Sequence, residues 1–166
     1  MLPRPDSGPR TEGGEEREPG ATGRAGALWL MLLSVAGIGD AVYLTIAHYA
    51  NVPVFCSSTG IVDCARDLTG PYSVVPGTSV PITVPGLGFF LISLALAVAQ
   101  YLRPGRFDLR RAHFGWAALG LLAVFYLVFV ELVEEKAICL WCTGVHVAII
   151  LILIITAWRL RPPEPT

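Results

Sequence analysis

Residues 134–150 have the sequence EEKAICLWCTGVHVAII, in which two cysteines three residues apart precede a long apolar run. That run extends through residues 138–160, and another apolar run occupies residues 112–133. The four residues EEKA that separate the two runs allow only the tight turn of an antiparallel helical hairpin. The sequence therefore predicts that this cysteine pair lies at the turn of a helical hairpin.

The composition of the whole chain indicates a membrane protein. Of 166 residues, 54% are hydrophobic and only 15% are charged, and the mean hydropathy is +0.60. A spanning helix needs about 20 mostly apolar residues, which predicts helices at residues 27–49, 85–102, 112–133 and 138–160. We therefore expect an all-α protein, an integral membrane four-helix bundle. The net charge of −1 gives no support for a nucleic-acid partner, which requires a concentrated basic face.

The remaining segments define the domain organisation. Residues 1–26 are rich in Pro, Gly, Glu and Arg, so we expect a disordered cytoplasmic tail. We expect residues 27–160 to form a four-helix transmembrane domain with an outer cysteine loop at 50–84, and residues 161–166 to form a second cytoplasmic tail. The first apolar run is too long for a signal-peptide core, so we expect it to remain as an anchor.

The distribution of basic residues predicts the orientation in the membrane. Arginines flank the start of the first helix, fill the second connection and follow the fourth helix, whereas loop 50–84 contains only Arg66. Cytoplasmic flanks of spanning helices carry the positive excess. We therefore predict a multi-pass protein of the cell membrane with both termini cytoplasmic and the cysteines on the extracytoplasmic side.

The four cysteines form two pairs on that side of the membrane. Cys56 and Cys64 lie in the outer loop, and Cys139 and Cys142 lie at the outer end of the fourth helix. This compartment allows disulfides to persist. If the helix begins near Ala137, the second pair can form a strained, easily reduced disulfide, and the helix dipole favours a thiolate at Cys139. The first pair is either structural or exchangeable.

The loop spacing CSSTGIVDC, followed by Cys-x-x-Cys at the outer end of the last helix, resembles the vitamin K epoxide reductase family, particularly its bacterial members. DsbB-type proteins have the two pairs in the opposite order. The resemblance implies that Cys56 meets a thioredoxin-fold partner, that Cys64 exchanges with Cys139, and that Cys142 faces a quinone of the menaquinone or ubiquinone type. It thus implies a quinone-dependent thiol-disulfide oxidoreductase that supports disulfide bond formation. We expect the partner to be a separate protein, because no thioredoxin-like domain is fused to this chain.

The sequence departs from the family pattern at two places. Many members have a serine pair shortly after the second loop cysteine, where this chain has Thr69 and Gly70. In the animal enzymes, a tyrosine associated with the quinone pocket lies four residues after the last cysteine. This chain has His146 there, one helical turn from Cys142. His146 is therefore a candidate quinone contact, since imidazole can donate a hydrogen bond to a carbonyl, and simple packing is the alternative.

Other polar and aromatic residues receive structural interpretations. Asp40 lies within the first helix, so we expect it to face the bundle interior and to bond Tyr43, Tyr126 or a neighbouring helix. Trp141 is typical of an interfacial aromatic belt. Three acids near the second cysteine pair are interpreted as complements of a helix dipole rather than as a proton supply: Glu131, Glu134 and Glu135.

Three alternatives to quinone chemistry are open at this stage, and one of them is a non-covalent haem held between His48 and His146. Four thiolates can hold a structural metal ion, although a pair at the start of a spanning helix suits such a closed site poorly, and no metal site is predicted. The cysteines could also be purely structural in a membrane protein of another class. Covalent haem attachment is excluded, because Thr143 rather than histidine follows Cys142.

Overall fold

The computed structural model describes residues 19–50, 52, 54–56 and 60–161. Within these residues, the chain forms α1 (Pro19–Ala50), α2 (Cys64–Thr69), α3 (Thr83–Leu102), α4 (Phe107–Phe129), a π-helix (Val130–Glu135) and α5 (Leu140–Trp158). Four stretches of the described chain are long and apolar enough to span a membrane: Gly23–Ala50, Thr83–Leu102, Phe107–Glu135 and Leu140–Trp158. The prediction of an all-α membrane bundle is confirmed.

The helix boundaries differ from those predicted. Helix α1 begins at Pro19, so residues 19–26 of the expected disordered tail are helical, whereas 1–18 and 162–166 lie outside the described residues. Helix α4 begins at Phe107, and its π-helical extension ends at Glu135, beyond the predicted range 112–133 at both ends. Hydropathy identifies only the apolar part of a helix. The additional helical residues at the ends of α1 and α4 include charged side chains, so hydropathy did not detect them.

The bundle is held together by close packing between α1 and α3. Gly37 lies directly against the ring of Phe90, and a Cβ atom at Gly37 would collide with that ring. Phe90 is fully buried and joins a core to which all four long helices contribute. The missing side chain at Gly37 therefore lets α3 approach α1 closely enough to bury a phenyl ring between them.

A buried polar network joins the helices at the end opposite the cysteines. Arg159 donates to Gln100 Oε1 at 2.7 Å and to the carbonyl of Gly23 at 3.0 Å. The amide nitrogen of Gln100 lies 2.9 Å from His113 Nδ1, and both side chains are buried. Burial, followed by the nearby Arg110, lowers the pKa of Arg159 to about 10, which leaves its guanidinium charged at neutral pH. One cation thus connects α1, α3 and the end of α5.

Candidate functional site: two cysteine pairs and two adjoining cavities

The loop cysteines are joined by a disulfide. Cys56 and Cys64 are bonded, with Cα atoms 6.1 Å apart. Cys64 is the first residue of α2, which begins there because the Asp63 carboxylate caps the helix by accepting from the Arg66 N–H at 3.1 Å. Cys64 is only 1% exposed, whereas Cys56 is half-buried. Of the two cysteines in this disulfide, only Cys56 therefore has appreciable access to solvent.

The backbone just before Cys56 is held on both sides by aromatic residues. The Phe55 N–H donates to the Tyr43 hydroxyl at 2.9 Å, and the Trp141 indole N–H donates to the Phe55 carbonyl at 2.9 Å. The Tyr43 and Trp141 rings pack with centroids 5.0 Å apart, while the Phe55 side chain is 89% exposed. We call these three residues the aromatic clamp. The sequence analysis missed it, although the position of Trp141 between two cysteines was a signal.

The second cysteine pair lies at the start of α5. Cys139 is the N-cap residue and is completely buried, and its sulfur accepts a bond from the Cys142 N–H at 3.4 Å. Both residues are present as thiols. The predicted helix start at residue 138 is therefore early, because Cys139 has extended backbone angles and precedes the first helical residue, Leu140. Its capping bond orients the sulfur towards the first turn of α5.

A short backbone bridge brings the two pairs together. Val62 and Ile138 form an isolated parallel bridge, in which the Asp63 N–H donates to the Ile138 carbonyl at 3.2 Å. Cys64 directly follows Asp63, and Cys139 directly follows Ile138. The bridge therefore brings the buried cysteine of each pair to the same part of the molecule. The sequence predicts that Cys64 and Cys139 lie on the same side of the membrane, but no pattern in it predicts the bridge between Val62 and Ile138.

A mainly apolar cavity of about 180 Å³ lies among the four long helices. Cys142 and His146, one turn apart on α5, both contribute to its wall, and His146 is only 6% exposed. Phe89 also lines this cavity, and its ring fits against Gly120, where a Cβ atom would lie 2.5 Å from it. An apolar cavity of about 150 Å³ can hold a benzene molecule. The cavity thus has the size of one ring-shaped group.

A smaller chamber of about 40 Å³ adjoins this cavity on the side of the loop. The two share five lining residues, Cys142 and His146 among them. The chamber is also lined by Glu131 and Glu135, which are 7% and 6% exposed. From the sequence, these acids are interpreted as favourable charges near the start of a helix. No sequence pattern indicates that their side chains are buried beside the second cysteine pair.

Two local features account for the inward position of Glu135. The π-helix ends at Glu135, and the next residue, Lys136, has a left-handed φ of 50°, so the chain turns sharply after Glu135. The Glu135 carboxylate then lies against Gly70, where a Cβ atom would overlap it. Gly70 is one of the three positions at which the sequence departs from the family pattern, and its missing side chain provides the space.

Asp40 does not form the expected bond with Tyr43. The Tyr43 hydroxyl instead accepts from Phe55, and Asp40 Oδ1 is buried without a hydrogen-bond partner among the described residues. The other carboxylate oxygen lies near Gly144 of α5, 3.8 Å from where a Cβ atom would be. Asp40 therefore faces α5, as its position within the bundle predicted.

The metal hypothesis gains no support from the described residues. Among them, no group of three or more His, Cys, Asp or Glu side chains is arranged to hold a metal ion. Two of the four thiols required for a thiolate site are joined in the loop disulfide.

Four candidate spans and two neighbouring cysteine pairs define a multi-pass membrane protein with a thiol-disulfide site. Residues 28–157 match the model of the vitamin K epoxide reductase family, and the chain belongs to that family. The protein is therefore a membrane thiol-disulfide oxidoreductase of a family that generally uses quinones and thioredoxin-like partners. No curated protein matches the chain.

Proposed function

We propose that the protein oxidises a thioredoxin-fold partner and transfers the electrons through its two cysteine pairs to a quinone of the menaquinone or ubiquinone type. The observation that carries this proposal is the position of each of the four cysteines. Cys56 is half-buried beside the exposed Phe55, and Cys64 and Cys139 are almost completely buried. Cys142 is half-buried and lines the apolar cavity. These positions support a relay that begins at Cys56 and ends at Cys142.

Electrons enter by thiol-disulfide exchange at Cys56. A partner thiolate attacks the Cys56 sulfur, forms a mixed disulfide and releases the Cys64 thiolate. The second partner thiolate then attacks the partner's own sulfur in that mixed disulfide, which releases Cys56 as a thiol and leaves the partner oxidised. Two electrons have then moved to the Cys56 and Cys64 pair. The aromatic clamp holds the backbone at Phe55 while Cys56 changes its bonding.

The same chemistry transfers the electrons between the pairs. The Cys64 thiolate attacks Cys139 of an oxidised second pair, which forms a Cys64–Cys139 bond and releases the Cys142 thiolate. Cys56 then attacks Cys64, restores the loop disulfide and releases Cys139. The resulting state has a loop disulfide and two thiols on the second pair, which is the state of the present structure. In the proposed cycle, this state immediately precedes quinone reduction.

The apolar cavity fits a quinone ring. Its volume of about 180 Å³ accommodates one ring, and its wall combines apolar side chains with the Cys142 sulfur and the His146 imidazole. A quinone bound there supplies an acceptor for two electrons and two protons. Cys142 lies at the cavity wall as the electron donor, and His146 orients a carbonyl oxygen by hydrogen bonding.

We further propose that the cysteine end faces the extracytoplasmic side of the cell membrane. The opposite end carries the arginine-rich connection between α3 and α4 together with Arg159 and Arg161, whereas the described segments at the cysteine end carry only Arg66 and Lys136. This asymmetry matches the positive-inside rule. An extracytoplasmic site also allows the oxidised partner to retain its disulfide.

The test is anaerobic quinone reduction by the purified protein, with a reduced thioredoxin-fold protein as the electron donor. We expect quinol formation by the natural protein and none by Cys142→Ser. Before the donor is added, Cys139 of that variant can attack Cys64 of the loop disulfide, which forms a Cys64–Cys139 bond and releases the Cys56 thiolate. Cys56→Ser should block the protein donor yet still reduce quinone when a small dithiol reaches the second pair directly. Full turnover of Cys56→Ser with the protein donor would contradict the relay, and absence of quinol from the natural protein would contradict the function.

A further inference from the structure

Among the described residues, the wall of the cavity assigned to the quinone contains no carboxylate, whereas the wall of the adjoining chamber contains two. Glu131 and Glu135 lie four residues apart on the π-helix and line a chamber that shares Cys142 and His146 with the larger cavity. Both side chains are more than nine-tenths buried. Burial of a charged group is costly unless another interaction compensates, so a buried acid with an unpartnered oxygen beside a redox pair requires an explanation.

Glu135 is the more informative of the two acids. Its Oε1 atom is buried and has no hydrogen-bond partner among the described residues, and the side chain lines the chamber. Its carboxylate occupies the space left by the missing side chain of Gly70. A buried carboxylate oxygen with an unused acceptor site, on a side chain that lines a chamber beside the redox pair, is a candidate for carrying a proton. The π-helical geometry that directs it there is frequent at functional sites.

The chamber also reaches the solvent. Tyr72 lines it and is 41% exposed. Among the described lining residues, the other titratable groups are His48 on α1 and Cys142 and His146 on α5. The chamber thus connects solvent at the cysteine end with the wall of the quinone cavity.

We propose that Glu135, together with Glu131, is a proton-transfer site that passes protons between solvent and His146 at the quinone cavity. This inference rests on the proposed function. Conversion of the Cys139 and Cys142 thiols into a disulfide releases two electrons and two protons, and one quinone requires the same number of each to become a quinol. The carboxylates accept protons from the chamber side, and the imidazole passes them to the quinone oxygens.

The test compares Glu135→Gln and Glu131→Gln with Glu134→Gln, a matched control on the same π-helix whose side chain is exposed. Purified proteins with the second pair reduced are mixed with a soluble quinone, and oxidation of the thiols is followed in a single turnover. We expect Glu135→Gln to be slowed about 100-fold, the scale of a lost general acid-base group. Glu131→Gln should also oxidise its thiols more slowly than the natural protein, and Glu134→Gln should oxidise them at the natural rate.

A second readout does not need quinone. Infrared difference spectra of the quinone-free protein, recorded on reduction of the second pair with a small dithiol, should contain a carboxyl protonation band. That band should be missing from Glu135→Gln and present in Glu134→Gln.

These outcomes separate the inference from the proposed function. If the natural protein forms no quinol, the proposed function fails, and the infrared band still tests the carboxylates. If quinol forms but both buried-acid variants keep the natural rate and the band, the inference is overturned. Equal slowing of Glu134→Gln would also overturn it, since a surface charge effect would then account for the result. Should Glu135→Gln not fold, Glu131→Gln carries the same test.

Discussion

His146 is the residue at which this chain substitutes imidazole for the tyrosine of the animal enzymes, and it lines both cavities. We expect His146→Phe to raise the KM for quinone about tenfold, because one hydrogen bond to a bound group contributes about 0.5–1.5 kcal/mol and a tenfold change corresponds to about 1.4 kcal/mol. Steady-state kinetics with varied quinone measure this effect.

His146→Gln provides the matched comparison, because glutamine keeps a hydrogen-bond donor in the cavity wall. We expect it to recover part of the lost affinity. An unchanged KM together with an unchanged turnover number in His146→Phe would assign His146 to packing alone, the alternative that the sequence had left open.

At the scale of single residues, the sequence identified the cysteines and His146 but not the groups around them. The cysteines were recognisable because their chemistry depends on residue type and spacing. Glu135 was not, since its inward direction depends on the left-handed turn at Lys136 and on the space at Gly70. Such contacts join residues 65 positions apart and leave no local pattern in the sequence.

The aromatic clamp belongs to the scale of elements, because it connects α1, the cysteine loop and α5. We expect Trp141→Phe to slow electron transfer between the two cysteine pairs by about fivefold. The variant loses the bond to the Phe55 carbonyl, which contributes about 1 kcal/mol to the ordered loop. Rapid acid quenching followed by thiol alkylation measures the rate at which the loop disulfide reappears.

Tyr49→Phe is the control for this prediction. Tyr49 is a 63% exposed aromatic residue on α1 that lies outside the clamp, and its variant should keep the natural rate. The prediction fails if Trp141→Phe transfers electrons as fast as Tyr49→Phe, since the bond to Phe55 would then have no part in ordering the loop.

The elements also differ in how well the sequence predicted them. The long helices were found because apolar length alone defines a spanning segment. Helix α2 was missed, because its six residues, CARDLT, are too few and too polar for a periodic signal. The π-helix was missed for another reason, since its residues continue an ordinary helical pattern and only backbone geometry distinguishes it.

The polar network around Gln100 matters at the scale of the whole molecule. We expect Gln100→Leu to lower the free energy of unfolding by about 1–3 kcal/mol, the cost of leaving buried polar groups without their partners. The variant removes the acceptor for Arg159 and the partner of His113 at the same time. Thermal unfolding of the detergent-solubilised protein measures the change.

Tyr101→Phe, which alters a partly exposed neighbour on the same helix, should leave the unfolding midpoint unchanged. An unfolding midpoint of Gln100→Leu equal to that of Tyr101→Phe would show that the network adds nothing to stability. Quinone reduction at the far end should survive in any Gln100→Leu protein that remains folded.

The bridge between Val62 and Ile138 restricts how the length of this chain can vary. Because side-chain direction alternates along extended backbone, inserting or deleting one residue between Val62 and Cys64, or inserting one between Ile138 and Cys139, would change the direction of a cysteine side chain beside the bridge. The loop upstream of Ile61 carries no such constraint from the bridge. Insertions that preserve function should therefore be tolerated before Ile61 and absent from those two short intervals, which a library of single-residue insertions would reveal.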